Sequence, residues 1–389
     1  MGAEIYTPLV SIVIPCLNEE ETLAFCVQEA HAALASSAVC GEVLVADNGS
    51  IDRSVQNAEE NGAQVIHVPD QGYGNALLGG IKAAKGQYIM MGDADGSYDF
   101  SELPKFLQKL EAGYDLVMGC RLPKGGGRIE QGAMPWKHRW IGNPTLSFIG
   151  RLFFSSQVDD FHCGLRAFRR DAILALNLQT PGMEFASEMV IKASLTGLNI
   201  TQVPITLRRD QRSRQPHLRS WRDGWRHLRF MLLYAPQWLF IYPGLIQTVL
   251  CLACFMILLP GPLHVGSVTF DVNTLLVMGT MALVGYHFLT LGLFIKAYAV
   301  VSGLLPGSRL WKRLVAGRVV EWGIATGICI MLLGMVWLGG ALLDWKEAGF
   351  GPLPYQKSLR MVIPAMLTLG LGVHTVFYGF ALAVLGFEK

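Results

Sequence analysis

Charge is what the second half of this chain lacks. Asp, Glu, Lys and Arg make up 16% of the 389 residues, and they become scarce from residue 230 onward. Uncharged apolar stretches occupy 230–270, 272–295, 322–343 and 361–387. Each is longer than the roughly 20 residues that cross a bilayer, which excludes a wholly water-soluble protein and predicts four membrane helices. The first stretch also holds Pro236, Pro243, Pro260 and Pro262, so only residues 239–259 need form its helix. Cysteine is sparse too: eight residues at irregular positions fit a reducing compartment and small apolar packing better than a disulfide framework. The one close pair, Cys251 and Cys254, lies in an apolar span with no basic neighbour to make a thiolate. A formal net charge of +2 gives no ground for a nucleic-acid partner, and none is expected. A secretory leader is not visible either, since residues 1–8 are short and carry Glu4, and 9–15 read as a strand.

Basic residues then orient the spans. The loop 260–271 has no Lys or Arg, whereas Arg309, Lys312, Arg313 and Arg318 lie between the second and third spans, so that second loop is expected on the cytoplasmic side. An even number of spans puts the amino-terminal domain on the same side; Lys346, Lys357 and Arg360 in the last loop count against it. His287 reads as a hydrogen-bonded packing residue of the second span rather than a ligand.

Before residue 230, strand and helix signals alternate: strands at 9–15, 42–47, 64–69, 88–92 and 114–119, with helices at 50–61, 75–84 and 101–111 between them, and another helix opened by Asn18 and three acids. This alternation predicts an α/β domain with a mostly parallel sheet and a ligand site at the carboxyl ends of its strands. One such end is Met91-Gly92-Asp93-Ala94-Asp95-Gly96. Carboxylates at i and i+2 leave a strand on one face, and the glycine turn lets them converge, as a cation would require. A polar strand exit with Asp95 as a turn residue is the competing reading. Neighbouring exits carry Pro15, Leu17, Asn18 and Glu19, and Asp47, Asn48 and Asp52. Asp52 reads as a helix-start residue. Gly72-Tyr73-Gly74 before a helix is either a turn or a phosphate cradle of free backbone N–H groups.

The blocks 10–19, 45–52, 72–86 and 93–96, in that order and spacing, resemble the GT-A nucleotide-sugar domain of family 2 glycosyltransferases. Later blocks at 119–121, 160–168 and 208–214 resemble the dolichyl-phosphate mannosyltransferase and polyprenyl-phosphate glycosyltransferase branch. The resemblance covers most of residues 8–230. It implies that Pro15, Leu17 and Glu19 line the nucleotide pocket, that Asp47 and Asn48 contact the base or ribose, and that Asp93 and Asp95, with Ala94 between them, hold Mg2+ or Mn2+ against the diphosphate. Arg121 would neighbour the donor phosphates, Asp160 would stand close to the transferred sugar as a catalytic residue with Asp95, and Arg208, Arg212 and Arg214 would serve the phosphates and acceptor. Four positions depart from the pattern: Asn48 for Asp, Tyr73 for Lys, Ser97 for Gln and Gln211 for Gly.

The chemistry agrees with carboxylates at the centre, because a departing diphosphate wants a hard cation rather than a proton. A lipid phosphate acceptor, with its second pKa near about 6, is largely ionised and needs no base, so Asp160 either orients groups or is a buried carboxylate that caps the Gly164 turn or pairs with Arg166. Eight arginines crowd 208–229, four of them (Arg219, Arg222, Arg226 and Arg229) on one helical face with Trp221 and Trp225 nearby; this suits an anionic membrane surface. Trp136, Trp140 and the stretch 146–154 read as either a second interfacial helix or an ordinary surface helix. The expectation is therefore a cytoplasmic domain at 1–207, a basic juxtamembrane segment at 208–235 and four membrane helices within 236–389. It would be an integral protein of the cell inner membrane, in contact with membrane lipid, that transfers a hexose from a nucleotide-diphosphate sugar to a polyprenyl phosphate with inversion. A homo-oligomer is left open. A processive polysaccharide synthase is the second enzyme reading, but Trp136 stands where its Gln-x-x-Arg-Trp segment has Gln. A non-catalytic scaffold or lipid carrier is the third.

Overall fold

The computed structural model describes residues 7–212, 220–302, 305 and 317–386, which fall into two units, Met1–Tyr234 and Ala235–Lys389. The first unit runs β1 (Val10–Cys16), α1 (Leu23–Ser36), β2 (Gly41–Asp47), α2 (Ser54–Glu60), β3 (Gln64–His67), α3 (Tyr73–Ala83), β4 (Tyr88–Met91), α4 (Leu103–Glu111), β5 (Leu116–Cys120), β6 (Arg128–Ile129) and α5 (Asn143–Phe154). It continues through β7 (Arg166–Arg169), α6 (Arg170–Leu174), α7 (Phe185–Thr196), β8 (Ile200–Pro204), β9 (Thr206–Leu207) and α8 (Ser220–Tyr234).

Seven strands form one sheet in the order β3-β2-β1-β4-β7-β5-β8. β1 is buried at every position because helices cover both faces, which is why its sequence is apolar without alternation. Leu23, Cys26 and Val27 of α1 and Phe106, Leu107 and Leu110 of α4 pack with Ile12 and Ile14 in one core. All neighbouring pairs in the sheet are parallel except those made by β7, which runs antiparallel to both β4 and β5. That strand was absent from the sequence reading. It begins on Arg166, a fully buried cation whose guanidinium donates to the carbonyls of Cys163, Phe161 and Ala186, so no apolar run announces it.

The first helix also departs from expectation. α1 starts at Leu23, after the acids, with no acid in its first turn. Asn18 takes a left-handed φ of 57°, and the following N–H groups turn to the neighbouring exit: Asn18 N donates to Ser50 Oγ, Glu19 N to Ser54 Oγ and Glu20 N to Asp52 Oδ2. The exits of β1 and β2 are thereby laced together.

In the second unit, helices at Gln237–Leu258, Val272–Val301, Val320–Glu347 and Tyr355–Gly386 are long and apolar enough to cross a membrane. A short hairpin, β10 (Leu263–Val265) and β11 (Val268–Phe270), joins the first two. Arg360 donates to the carbonyl of Leu259 at 3.2 Å and forms an ion pair with Asp271, which also accepts from Gln356. Lys357 pairs with Asp344 at 3.4 Å. His287 is not alone, since its ring meets that of His374 edge-on at 5.2 Å.

Candidate active site

The exits of β1, β2 and β4 converge at the carboxyl edge of the sheet. Gly96, with φ of 74°, turns the chain after Asp95. Thr22 Oγ1 donates to the Ala94 carbonyl at 2.6 Å, fixing the backbone between the two carboxylates. Asp95 Oδ1 accepts from the Ser97 N–H and hydroxyl, at 3.0 and 2.5 Å. Asp93 Oδ1 accepts from the Tyr73 hydroxyl at 2.9 Å, and its other oxygen lies against Gly164, where a Cβ would come within 2.9 Å. Burial and the like charge of Asp95 push the Asp93 carboxyl up to about 6, against the pull of Tyr73, Arg212 and Arg121.

Arg212 closes over this pair. Its Nη2 reaches Asp95 Oδ2 at 3.1 Å, its Nη1 reaches Glu19 Oε1 at 3.1 Å, and Asp210 accepts from its Nε and Nη2. Burial opposes the guanidinium charge, but the Asp210 hydrogen bond and the carboxylates of Asp95 and Glu19 raise its pKa above the ordinary value. The segment is tied down by backbone as well, through Arg208 N to Ser97 O and Gln211 N to Asp95 O. Arg208 itself pairs with Glu29 at 2.6 Å and with Asp99, so it anchors the segment. Arg214 lies outside the described residues, as do Arg219 and the side chain of Arg222. Arg226, read as part of a membrane-facing row, instead pairs with Glu184 at 2.7 Å; Arg229 is exposed.

Asp160 is wholly buried, and Arg121 takes both of its oxygens: Nε and the backbone N bond Oδ2, and Nη2 bonds Oδ1 at 2.8 Å. The partner is Arg121, not Arg166. Tyr98, missed in the sequence, holds this pair to the loop that carries Asp93 and Asp95, its hydroxyl accepting from Gly164 N at 2.8 Å and from Arg121 Nη1 at 3.4 Å.

On the β2 side, Asp47 caps its own turn, accepting from the N–H groups of Gly49 and Ser50. Asn48 spends its amide on the loop 68–72, donating to the carbonyls of Val68 and Asp70 and accepting from Gly72 N. Pro15 is buried and Leu17 exposed at this edge. The Gly72-Tyr73-Gly74 turn is not a phosphate cradle: the N–H groups of Gly74 and Asn75 both donate to the Pro181 carbonyl.

The arrangement suits a divalent cation in one respect and leaves it incomplete in another. Two adjoining carboxylates, one held against its own ionisation, gain from a positive charge between them. Among the described residues no group of three or more His, Cys, Asp or Glu side chains is gathered as a metal site, so the remaining ligands would be water and substrate oxygens, the usual habit of Mg2+. The residues present fit such an ion.

A model described as glycosyl transferase family 2 matches residues 11–176, and one described as the family 2 C-terminal transmembrane region matches 293–386. The low-salt glycan biosynthesis hexosyltransferase Agl6 of Haloferax volcanii is 37% identical over 382 residues, covering 97% of this chain and 89% of that one. The chain belongs to glycosyltransferase family 2. Within that family it falls in the polyprenyl-phosphate glycosyltransferase branch, with a GT-A domain followed by a helical membrane region, and it is an enzyme and an integral membrane protein. The dolichyl-phosphate hexose transferase of the same organism is 31% identical over 198 residues, 51% of this chain and 82% of that one. Glucosyl-3-phosphoglycerate synthase of Mycobacterium tuberculosis, solved with Mn2+, UDP and glucosyl-3-phosphoglycerate, aligns with 20% identity and a TM-score of 0.46 over 59% of this chain and 80% of that one.

Proposed function

We propose that this family 2 glycosyltransferase moves a hexose from a nucleotide-diphosphate sugar to a polyprenyl, dolichyl-type phosphate at the cytoplasmic face, with Mg2+ or Mn2+ and inversion at the anomeric carbon. The observation that carries the reading is the convergence of Asp93 and Asp95 at the strand exits beneath the half-buried Arg212, on a chain that also has four membrane helices. The name of the dolichyl-phosphate hexose transferase supports the lipid acceptor.

Asp93 and Asp95 would hold the ion, which when bound supplies positive charge beside the departing diphosphate. Glu19, Pro15, Leu17, Asp47 and the backbone at Asn48 form the nucleotide side. A phosphate entering the site competes with Glu19 and Asp95 for the Arg212 guanidinium, whose planar fork matches phosphate oxygens two at a time. The anomeric carbon breaks its bond to the diphosphate and forms one to the acceptor phosphate oxygen on the opposite face. That oxygen is already ionised at neutral pH, so no side chain need remove a proton. Asp160, with both oxygens bonded to Arg121, orients the arginine toward the reacting groups and does not act as a base. Trp136, Trp140, Phe148 and Trp225 are each more than half exposed, on α8 and on and just before α5, and suit the headgroup layer where an acceptor phosphate resides.

The test is a transfer assay: membranes containing the protein, a panel of labelled nucleotide-sugars, and polyprenyl phosphate. Organic-soluble label from one donor is the expected result. Label only in water-soluble polymer would favour a processive synthase.

A further inference from the structure

We propose that Tyr73 is the positioning residue for Asp93, and that its hydroxyl sets the affinity of the site for the divalent ion. This rests on the reading of Asp93 as a metal-holding carboxylate. Tyr73 stands in the first turn of α3, and its hydroxyl donates to Asp93 Oδ1 at 2.9 Å. The turn that presents it is tied on both sides. Gly72 N donates to Asn48 Oδ1 at 2.6 Å, anchoring the turn to the exit of β2; Gly74 N donates to the Pro181 carbonyl at 2.8 Å, anchoring it to the segment before α7. Burial, then the nearby charge of Asp93, holds the phenol well above its ordinary range, so it remains a neutral donor.

The consequence for Asp93 is geometric. One oxygen is clamped by a phenol and the other lies against the Gly164 backbone, which leaves the carboxylate a single orientation before any ion arrives. A lysine at position 73 would hold the carboxylate by neutralising it; tyrosine orients it and leaves its full charge for a cation. Donors that orient a metal's ligand in this way are worth about 10- to 100-fold in affinity. The same hydrogen bonds run from Asn48 through Gly72 to Tyr73 and Asp93, so the nucleotide edge of the site and its carboxylate pair share one support.

The experiment uses the full chain in detergent, with free Mn2+ followed by electron paramagnetic resonance in the presence of UDP or of GDP. Tyr73→Phe keeps the ring and removes the donor. It should raise the Mn2+ dissociation constant about ten-fold or more, with the thermal midpoint of the metal-free protein recorded beside it because the lost hydrogen bond to a buried carboxylate also lowers stability. Tyr73→His, which retains a ring and an N–H donor, should bind Mn2+ more tightly than Tyr73→Phe. Wild-type affinity in Tyr73→Phe, or a lowered thermal midpoint with unchanged Mn2+ affinity, would overturn the proposal by making Tyr73 a packing residue only. Absence of Mn2+ binding by the wild-type chain with either nucleotide would overturn the metal reading beneath it.

Discussion

Asp93 is the residue at which the site's electrostatics are least settled without a cation. Burial and the charge of Asp95 raise its carboxyl from 3.8 to about 6. A carboxyl raised in the native state favours folding at low pH, and that contribution is lost as pH climbs from the unfolded value through about 6. The metal-free protein should therefore lose stability over that interval, and Asp93→Asn, which cannot ionise, should lose less; thermal midpoints at the two ends of the interval check this. An ion needs the ionised carboxylate, so its binding releases a proton. Mn2+ affinity should fall as pH drops below about 6, by about ten-fold per unit once Asp93 is mostly protonated, as calorimetric titration would show. The i, i+2 carboxylates were legible in the sequence because both lie at one strand end. Their surroundings were not: Arg212 is separated from Glu19 by 193 positions and from Asp95 by 117, and no local pattern records such a pairing.

The segment bearing Arg208 and Arg212 is an element of the site with no secondary structure of its own. Arg208 joins it to Glu29 of α1 and to Asp99, and hydrogen bonds between charged groups are worth about 1.5 to 3 kcal/mol. Arg208→Ala should lower the stability of the amino-terminal unit by about that amount, read as a lower midpoint in thermal unfolding, whereas Arg212→Ala, which leaves Asp95, Glu19 and Asp210 without their shared cation, should lower both the thermal midpoint and turnover. The Arg226–Glu184 pair between α8 and α7 is more exposed, and its loss should cost less than about 1 kcal/mol. Strands such as β1 and β4 were readable because both faces are buried and the run is apolar. β7 was not, because its buried side chains include an arginine satisfied by backbone carbonyls. The start of α1 was misplaced for a related reason: the acids after Asn18 belong to a loop bound to the β2 exit, and nothing within residues 18–21 shows what they bind.

At the scale of the whole chain, the four spans were legible from the scarcity of charge, and the lack of Lys and Arg in the loop 260–271 predicts that this loop lies on the non-cytoplasmic side. Ser267→Cys in that loop should react with a membrane-impermeant maleimide on intact cells, while the native Cys40, exposed on the amino-terminal unit, should react only after permeabilisation. The reverse labelling would invert the topology. The central claim joins this membrane protein to its carboxylate pair, and one measurement reaches both: organic-soluble label formed from the active nucleotide-sugar and polyprenyl phosphate, recorded across a Mn2+ titration for the wild-type chain and for Asp95→Asn. The account predicts label that rises with Mn2+ in the wild type and is at least about ten-fold lower in Asp95→Asn, the loss of one charge-assisted contact or more at the reacting diphosphate. Equal label from the two chains, or label indifferent to Mn2+ and to its removal by chelator, would contradict it.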